Sequence, residues 1–181
     1  MEGLVYYNEP HRFADERGFF QEVFNGPRMG HPLPEGMMQV NHSRSTKGVI
    51  RGMHWQQPNP TGKFVTCLHG HILDVVVDIR KSSSTFKEWK SFALTGDGGQ
   101  RLWVPPGFAH GFIVISPIAD VIYLQSAPFD KGSDRAFRHD DMDVAIRWPV
   151  PSADCPFGPV VSEKDRNAPF LAELPEDALF D

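Results

Sequence analysis

The sequence predicts an all-β chain folded as a jelly-roll β-sandwich or barrel, with only short helices near its end. Three observations lead there. Short extended segments recur at near-regular spacing between residues 38 and 124, and turn signals separate nearly all of them: Pro58-Asn59-Pro60, His69-Gly70-His71, Gly96-Asp97-Gly98-Gly99, Pro105-Pro106-Gly107 and Ser116-Pro117. Almost no stretch carries a helical period.

Taken in order, Val5 to Phe24 alternates aromatic and polar residues around Asp15-Glu16-Arg17-Gly18, the pattern of a strand, a turn and a second strand. Residues 25–38 hold three glycines and three prolines (Pro27, Pro32, Pro34), which leaves room for a surface loop with at most one short helical turn. The extended segments then run Met38 to Ser43, Gly48 to Trp55, Phe64 to His69, Ile72 to Ile79, Trp89 to Leu94, Leu102 to Val104, Phe112 to Ile115 and Val121 to Leu124. Asp130 to Arg147 is mostly charged and Pro149 to Pro159 is rich in proline, so both are expected to wrap the barrel as loops. Ser162-Glu163-Lys164-Asp165 matches a helix-start capping pattern, and Pro169 and Pro175 keep the terminal helix short.

A chain of 181 residues, 40% hydrophobic and 12% aromatic, fits one domain spanning residues 1–181 with a substantial core. Its formal charge of -5 and pI near 5.9, with no Lys/Arg run, argue against a nucleic-acid or anionic-membrane surface. Positive charge is therefore expected only locally, at a site. Cys67 and Cys155 are too few for a disulfide framework and sit in no CxxC or Cys/His cluster, which suits a reducing cytoplasm. No signal-peptide pattern opens the chain, and no apolar run approaches the roughly 18 residues of a membrane span. The expectation is a soluble, unprocessed protein.

The chemistry concentrates between Gln39 and Lys63. Gln39, Asn41, Arg51, His54, Gln56 and Lys63 stand among residues that otherwise read as strand, so neighbouring strands of one sheet would bring them to a pocket. Arg51 and His54 are three apart, which sends them to opposite faces unless Gly52 permits a bulge or bend. A buried cation without an anion is costly, so Arg51 and Lys63 imply either an anionic ligand or an internal ion pair with Glu22 or Asp74. Taken alone, His54 reads as a satisfied core histidine, and its cationic neighbours Arg51 and Lys63 change that. Alternation puts Tyr123 on one face with Val121 and Gln125, where its plain reading is a barrel-filling aromatic. Asp165 occupies the carboxylate position of the capping pattern. Asp134, Asp140, Asp141 and Asp143 read as a solvated charge run without chemistry.

Metal is the rival. Gly99-x5-Pro105-x-Gly107-x2-His110 has the form of the second cupin motif, yet the HxH and carboxylate of a metal-binding first motif are missing around His54. His69, His71 and Asp74 could ligate if they converged, but the intervening Gly70 favours a hairpin turn. Cys67 reads as strand packing rather than a reactive thiol. No GxGxxG, GxxxxGK[ST] or GxSxG is present.

Collinear over about residues 10–170, the motifs together resemble the dTDP-4-dehydrorhamnose 3,5-epimerase family: Asp15-Glu-Arg17-Gly18, Gln39-Val-Asn41-His-Ser43, Arg51-Gly-Met-His54-Trp-Gln56, Asp74-Val-Val-Val-Asp78-Ile-Arg80, Pro106-Gly-Phe-Ala-His110-Gly-Phe112, Ile146-Arg-Trp148-Pro149 and Ser162-Glu-Lys-Asp165. The resemblance implies a cupin-like jelly roll, a homodimer with exchanged N-terminal strands, a dTDP-sugar substrate and no cofactor or metal. It makes His54 the base, Asp165 the partner that orients and charges its imidazole, and Tyr123 the acid on the other face. Lys63 and His110 fall where the family stabilises an enolate oxygen, and Arg17 and Arg51 where it holds the diphosphate. Glu22, Gln39 and Asn41 match the lining of the nucleotide and sugar pocket. The family commonly carries tyrosine where this chain has Phe129, and Lys131-Gly-Ser-Asp134 replaces its usual proline-containing stretch. Both departures bear on the sugar and on whether C3, C5 or both are inverted. A metal-dependent cupin oxygenase and a non-catalytic sugar-nucleotide binder are the alternatives from other classes.

Overall fold

The structure is a computed structural model that describes residues 1–8, 11–15, 18–24, 39–150 and 158–181. The expected turn at Glu16 and Arg17, the loop over 25–38 and the proline-rich stretch around 151–157 lie outside the described residues. Strands are numbered in chain order. One sheet runs, in spatial order, β1 (Val5–Tyr7), β9 (Arg101–Val104), β6 (Lys63–His69), β11 (Ile118–Gln125) and β4 (Gln39–Thr46). The second runs β12 (Asp134–Ala136), β5 (Val49–Gln56), β10 (Phe108–Val114), β7 (His71–Asp78) and β8 (Trp89–Thr95), with β13 (Val160–Val161) also beside β5. All these pairings are antiparallel except β13 with β5. The hairpin of β2 (His11–Asp15) and β3 (Gly18–Glu22) stands as a sheet of its own.

The two larger sheets face each other, because one side of each strand is apolar. Val65, Cys67, Leu102, Val104 and Val121 from the first sheet pack with Ile72, Val76, Leu94, Phe108, Phe112 and Val114 from the second. Continuous runs such as Val75-Val76-Val77 mean that the second sheet is buried on both faces. Its outer face is covered by the chain after β12: Met53, Trp55, Val75, Val77 and Ala109 pack against Phe137, Val144 and Leu171, with Ile146, Trp148, Leu179 and Phe180 around them. The Trp55 indole donates to the Ala178 carbonyl at 2.7 Å, pinning this C-terminal wrap to β5.

Each extended segment anticipated between 38 and 124 is a strand, but the hairpin expected at Gly70 is not one: its tight turn (φ 81°) passes the chain from β6 in the first sheet to β7 in the second, and the two strands do not pair. The strand expected from Val5 up to the turn is two, β1 and β2, in different sheets, and two further short strands were not anticipated: β12 and β13. The last two correct the reading of the C-terminal third as loops alone. They are legible only as partners, because β5 leaves an edge open and Asp134–Ala136 and Val160–Val161 each cover one half of it. After β13 comes the expected short helix, a single turn at Glu163–Arg166, followed by two 3-10 turns at Leu171–Glu173 and Glu176–Ala178. Among the described residues no helix is long and apolar enough to cross a membrane.

Gly52 is where β5 departs from regular pairing. His54 pairs with His110 but Arg51 pairs with Phe112, so one extra residue is inserted on β5. Gly52 has φ +132°, and a Cβ there would stand 2.6 Å from Cα of Gly111. Both the conformation and the contact demand glycine. Gly52→Ala is expected to lower unfolding stability by more than about 2 kcal/mol in a denaturant titration, since strain and a backbone clash add; a loss under about 0.5 kcal/mol would show that β5 can straighten without cost.

Candidate active site

A cavity of about 520 Å³ opens between the two sheets, within the range of small-molecule sites. Its walls bring together His54, Arg51, Lys63, His110, Tyr123, Asn41, Phe129 and Asp165. The bulge at Gly52 is what allows Arg51 and His54 to share it. Gln39 lies behind this wall, donating to Asn41 Oδ1 at 2.8 Å and accepting the Phe129 N–H at 2.8 Å. Glu22 is not among the lining residues; it ends β3 on the separate hairpin. Arg17 lies outside the described residues.

His54 projects from β5, and its Nε2 meets Asp165 Oδ1 at 2.6 Å. The carboxylate is buried and also accepts the Gly52 N–H at 3.4 Å. Asp165 arrives there because β13 ends at Val161 and Ser162 caps the next turn, its Oγ accepting the Asp165 N–H at 3.1 Å. The capping pattern is real and the carboxylate is nonetheless turned to the histidine. Burial pushes the Asp165 carboxyl upward, but the His54 and Gly52 hydrogen bonds outweigh it and hold the group below the usual carboxylate range. His54 keeps Nδ1 free of this contact.

Tyr123 comes from β11, in the opposite sheet. Its hydroxyl is 2.9 Å from Ser43 Oγ, and burial pushes it well above the usual phenol range despite that bond and the Arg51 charge. It therefore stays protonated. Lys63, on β6, donates to the His54 carbonyl at 3.2 Å. Burial lowers its pKa to about 8, with Asp134 and Asp74 resisting and Lys164 adding to the fall. His110, buried on β10, is 2.8 Å through Nε2 from Asp74 Oδ2. Arg51 is exposed at the cavity and donates from Nε to Ser45 Oγ at 2.9 Å. Among the described residues no carboxylate pairs with Arg51, so the anticipated internal ion pair is absent there; the premise that Arg51 is buried is also corrected.

Several contributors, Gln56 apart, were given no part in the site from the sequence. Ser43 and Ser45 follow Asn41 at the strand period of two, which was the available signal. Asp134 is not a solvated loop residue: it lines the cavity from β12 and forms an ion pair with Lys164. Asp141, also in that charge run, is buried and accepts the N–H groups of Asp143, Val144 and Leu171. Gln56 holds the 128–130 turn, accepting the Asp130 N–H at 2.9 Å and donating to the Pro128 carbonyl at 3.3 Å.

The metal alternative finds no cluster among the described residues: no group of three or more His, Cys, Asp or Glu side chains could hold an ion. Asp74 is engaged by His110, and His69 and His71 flank the Gly70 turn that crosses from one sheet to the other. Cys67 is buried, its thiol pushed up to about 11 chiefly by burial, in keeping with packing. What the cavity does hold is a carboxylate-backed imidazole from one sheet, a protonated phenol from the other, and a lysine with a histidine between them.

The sequence profile described as dTDP-4-dehydrorhamnose 3,5-epimerase matches residues 2–173. The dTDP-4-dehydrorhamnose 3,5-epimerase of Shigella flexneri is 43% identical over 162 residues, covering 88% of this chain and 86% of the relative. The structure of dTDP-6-deoxy-D-glucose-3,5-epimerase from Legionella pneumophila in complex with dTDP-4-keto-L-rhamnose superposes with a TM-score of 0.91 at 36% identity, covering 99% of this chain and 94% of that one. A 3'-monoepimerase from Streptomyces bikiniensis in complex with dTDP-quinovose superposes at 0.84 with 31% identity, covering 94% and 85%.

Lys63 yields a pH test independent of any substrate. Its folded pKa of about 8 lies below the ordinary 10.5, so between those values the unfolded chain binds the extra proton and stability rises with pH. The cost of burying the charge is full below about pH 8 and fades toward 10.5. Lys63→Met is expected to stabilise the chain by on the order of 2 kcal/mol at pH 7, with the gain shrinking as pH climbs from 8 to 10. Denaturant titrations across that window check it; a gain independent of pH would mean the lysine is neutral or solvated throughout.

Proposed function

The chain belongs to the dTDP-4-dehydrorhamnose 3,5-epimerase family, and from that premise we propose that, as a single domain, it epimerises a dTDP-linked 4-keto-6-deoxy sugar without a cofactor. One observation carries the reading: the candidate base and acid line the same cavity from opposite sheets, His54 on β5 and Tyr123 on β11. Inverting a carbon requires a proton to leave one face of the ring and another to arrive on the other.

A C–H bond beside a ketone is a weak acid. The Asp165 carboxylate accepts Nε2–H of His54, which leaves Nδ1 as the base that takes the proton and stabilises the imidazolium that forms. Negative charge then moves onto the ketone oxygen, where Lys63 and His110 supply positive charge and N–H donors, a contribution of a few kcal/mol. Tyr123, kept protonated by burial, returns a proton from the opposite side. Arg51, held at Nε by Ser45, keeps its terminal nitrogens for the diphosphate. Gln39 and Asn41 shape the wall near the sugar.

The assembly in this reading is a homodimer that exchanges N-terminal strands. Phe13, Phe19 and Phe20 of the β2–β3 hairpin are 60%, 56% and 70% exposed, and Val40 on the edge strand β4 is 59% exposed, a costly arrangement for a lone chain. The hairpin would carry Glu22 to the partner's cavity. A reducing cytoplasm suits the buried, free Cys67.

Incubation with dTDP-4-keto-6-deoxyglucose in heavy water, reading deuterium at each ring carbon, tests the function; no incorporation at C3 or C5 would remove it. His54→Ala is expected to abolish exchange while leaving dTDP affinity nearly unchanged, and retained exchange within tenfold of the parent would make His54 a core residue. Arg51→Ala is expected to weaken dTDP binding about tenfold or more by calorimetry and to raise KM, since a diphosphate contact is made in ground and transition states alike. Phe129 favours a second reading, in which the two carbons are treated unequally. Its ring is at the cavity but offers no hydroxyl to the sugar, and a lost neutral hydrogen bond is worth about 0.5 to 1.5 kcal/mol, or roughly tenfold in rate. Deuterium is expected to enter C3 and C5 at unequal rates, with Phe129→Tyr narrowing the gap; equal incorporation in the parent would leave Phe129 a packing role.

A further inference from the structure

The pair of His110 and Asp74 lies deeper than the groups that face the sugar. His110 is 4% exposed and Asp74 0%, with Nε2 and Oδ2 2.8 Å apart. The other carboxyl oxygen, Asp74 Oδ1, is buried and has no hydrogen-bond partner among the described residues. A bare, buried carboxylate oxygen is costly, and an unbalanced buried charge more so.

Two protonation states differ by one proton. In the anionic pair, Nε2–H donates to a carboxylate and Nδ1 is a bare acceptor. With one proton more the pair is neutral overall, either as imidazolium and carboxylate or as an imidazole accepting from a carboxylic acid. In both neutral forms Nδ1 carries hydrogen. The neutral acid also makes the bare Oδ1 a carbonyl oxygen, which tolerates dry surroundings better than an anion. Burial pushes the Asp74 carboxyl up, and the His110 contact and the Lys63 charge, which pull it down, do not reverse that direction. The other titratable groups around His110 are Tyr123, whose ring stands edge-on at 6.3 Å, and His54, its partner across the ladder.

We propose that Asp74 is a positioning residue: sharing one proton with His110 in a net-neutral buried pair, it keeps Nδ1 of His110 as an N–H donor toward the ketone oxygen of the bound sugar. The role of that donor rests on the epimerase reading; the placement of the proton does not. Lys63 supplies charge at the enolate and His110 supplies a directed hydrogen bond that needs no proton transfer of its own. An anionic pair would instead turn a lone pair on the enolate and oppose the reaction.

Nitrogen-15 NMR of the histidine-labelled protein, with His110 assigned by comparison with His110→Gln, reads the proton directly. Between pH 7 and 8, Nδ1 of His110 is expected to be protonated; a bare Nδ1 overturns the proposal. Asp74→Leu removes the partner at similar volume. Its kcat for exchange at the sugar is expected to fall about a hundredfold, the scale of one lost oxyanion donor, with dTDP affinity within twofold of the parent. Parental kcat in this variant also overturns the proposal, and a purely structural role would lower Tm while leaving that split unmoved. If the variant does not fold, the wild-type spectrum still decides. If the parent itself exchanges no deuterium, the epimerase reading fails and the spectrum alone judges where the proton sits.

Discussion

Everything at the site depends on how β5 is held at Gly52. The bulge there lets Arg51 and His54, three residues apart, look into one cavity, and it exists because two glycines, Gly52 and Gly111, bring adjacent backbones closer than any side chain permits. The outer edge of β5 is then covered in two pieces. β12 pairs with Gln56 to His54 and β13 with Val49 and Ile50. Between them, the backbone of Met53 exchanges hydrogen bonds of 3.2 Å with Phe137, and the Gly52 N–H turns to Asp165. The carboxylate that orients the imidazole thus doubles as an edge partner of the strand that carries it. The geometry of the His54–Asp165 pair and the completion of the sheet are one constraint.

Burial organises the rest. The cavity holds few charges, and each is balanced by a different device: Asp165 by hydrogen bonds to its anionic form, Lys63 by nearby Asp134 acting through space, Tyr123 by remaining neutral. A phenol forced to keep its proton is a poor base and a durable acid. A lysine eased toward neutrality is poised to respond when negative charge forms beside it. These settings stem from depth in the sandwich, and they give chemically different roles to groups a few strands apart.

Much of this was legible along the chain. Strand alternation put Tyr123 and Gln125 on one face, the glycines marked the β6–β7 turn, though not that it crosses between sheets, and the bulge in β5, and Ser162-x-x-Asp165 marked the start of a helical turn. The charge run at 134–143 was misread because charge density describes solvation only on average. Asp134 escapes that average by joining the edge of β5 and pairing with Lys164, and Asp141 by capping the backbone of the following turn. Arg51 was expected to be buried on the strength of its apolar neighbours, whereas it stands exposed at the cavity.

Local pattern determined the elements and, through motifs in collinear order, the family, since alternation, turn residues and caps act over a few residues and survive without knowledge of partners. Tertiary structure decided which residues meet. The pairs His54 with Asp165, His110 with Asp74, and Tyr123 with Ser43 join residues 111, 36 and 80 positions apart, and their distances depend on the register of β5, β10 and β11 against their neighbours. Protonation was decided there too, because a pKa responds to desolvation and to charges that the fold, not the order of residues, brings near.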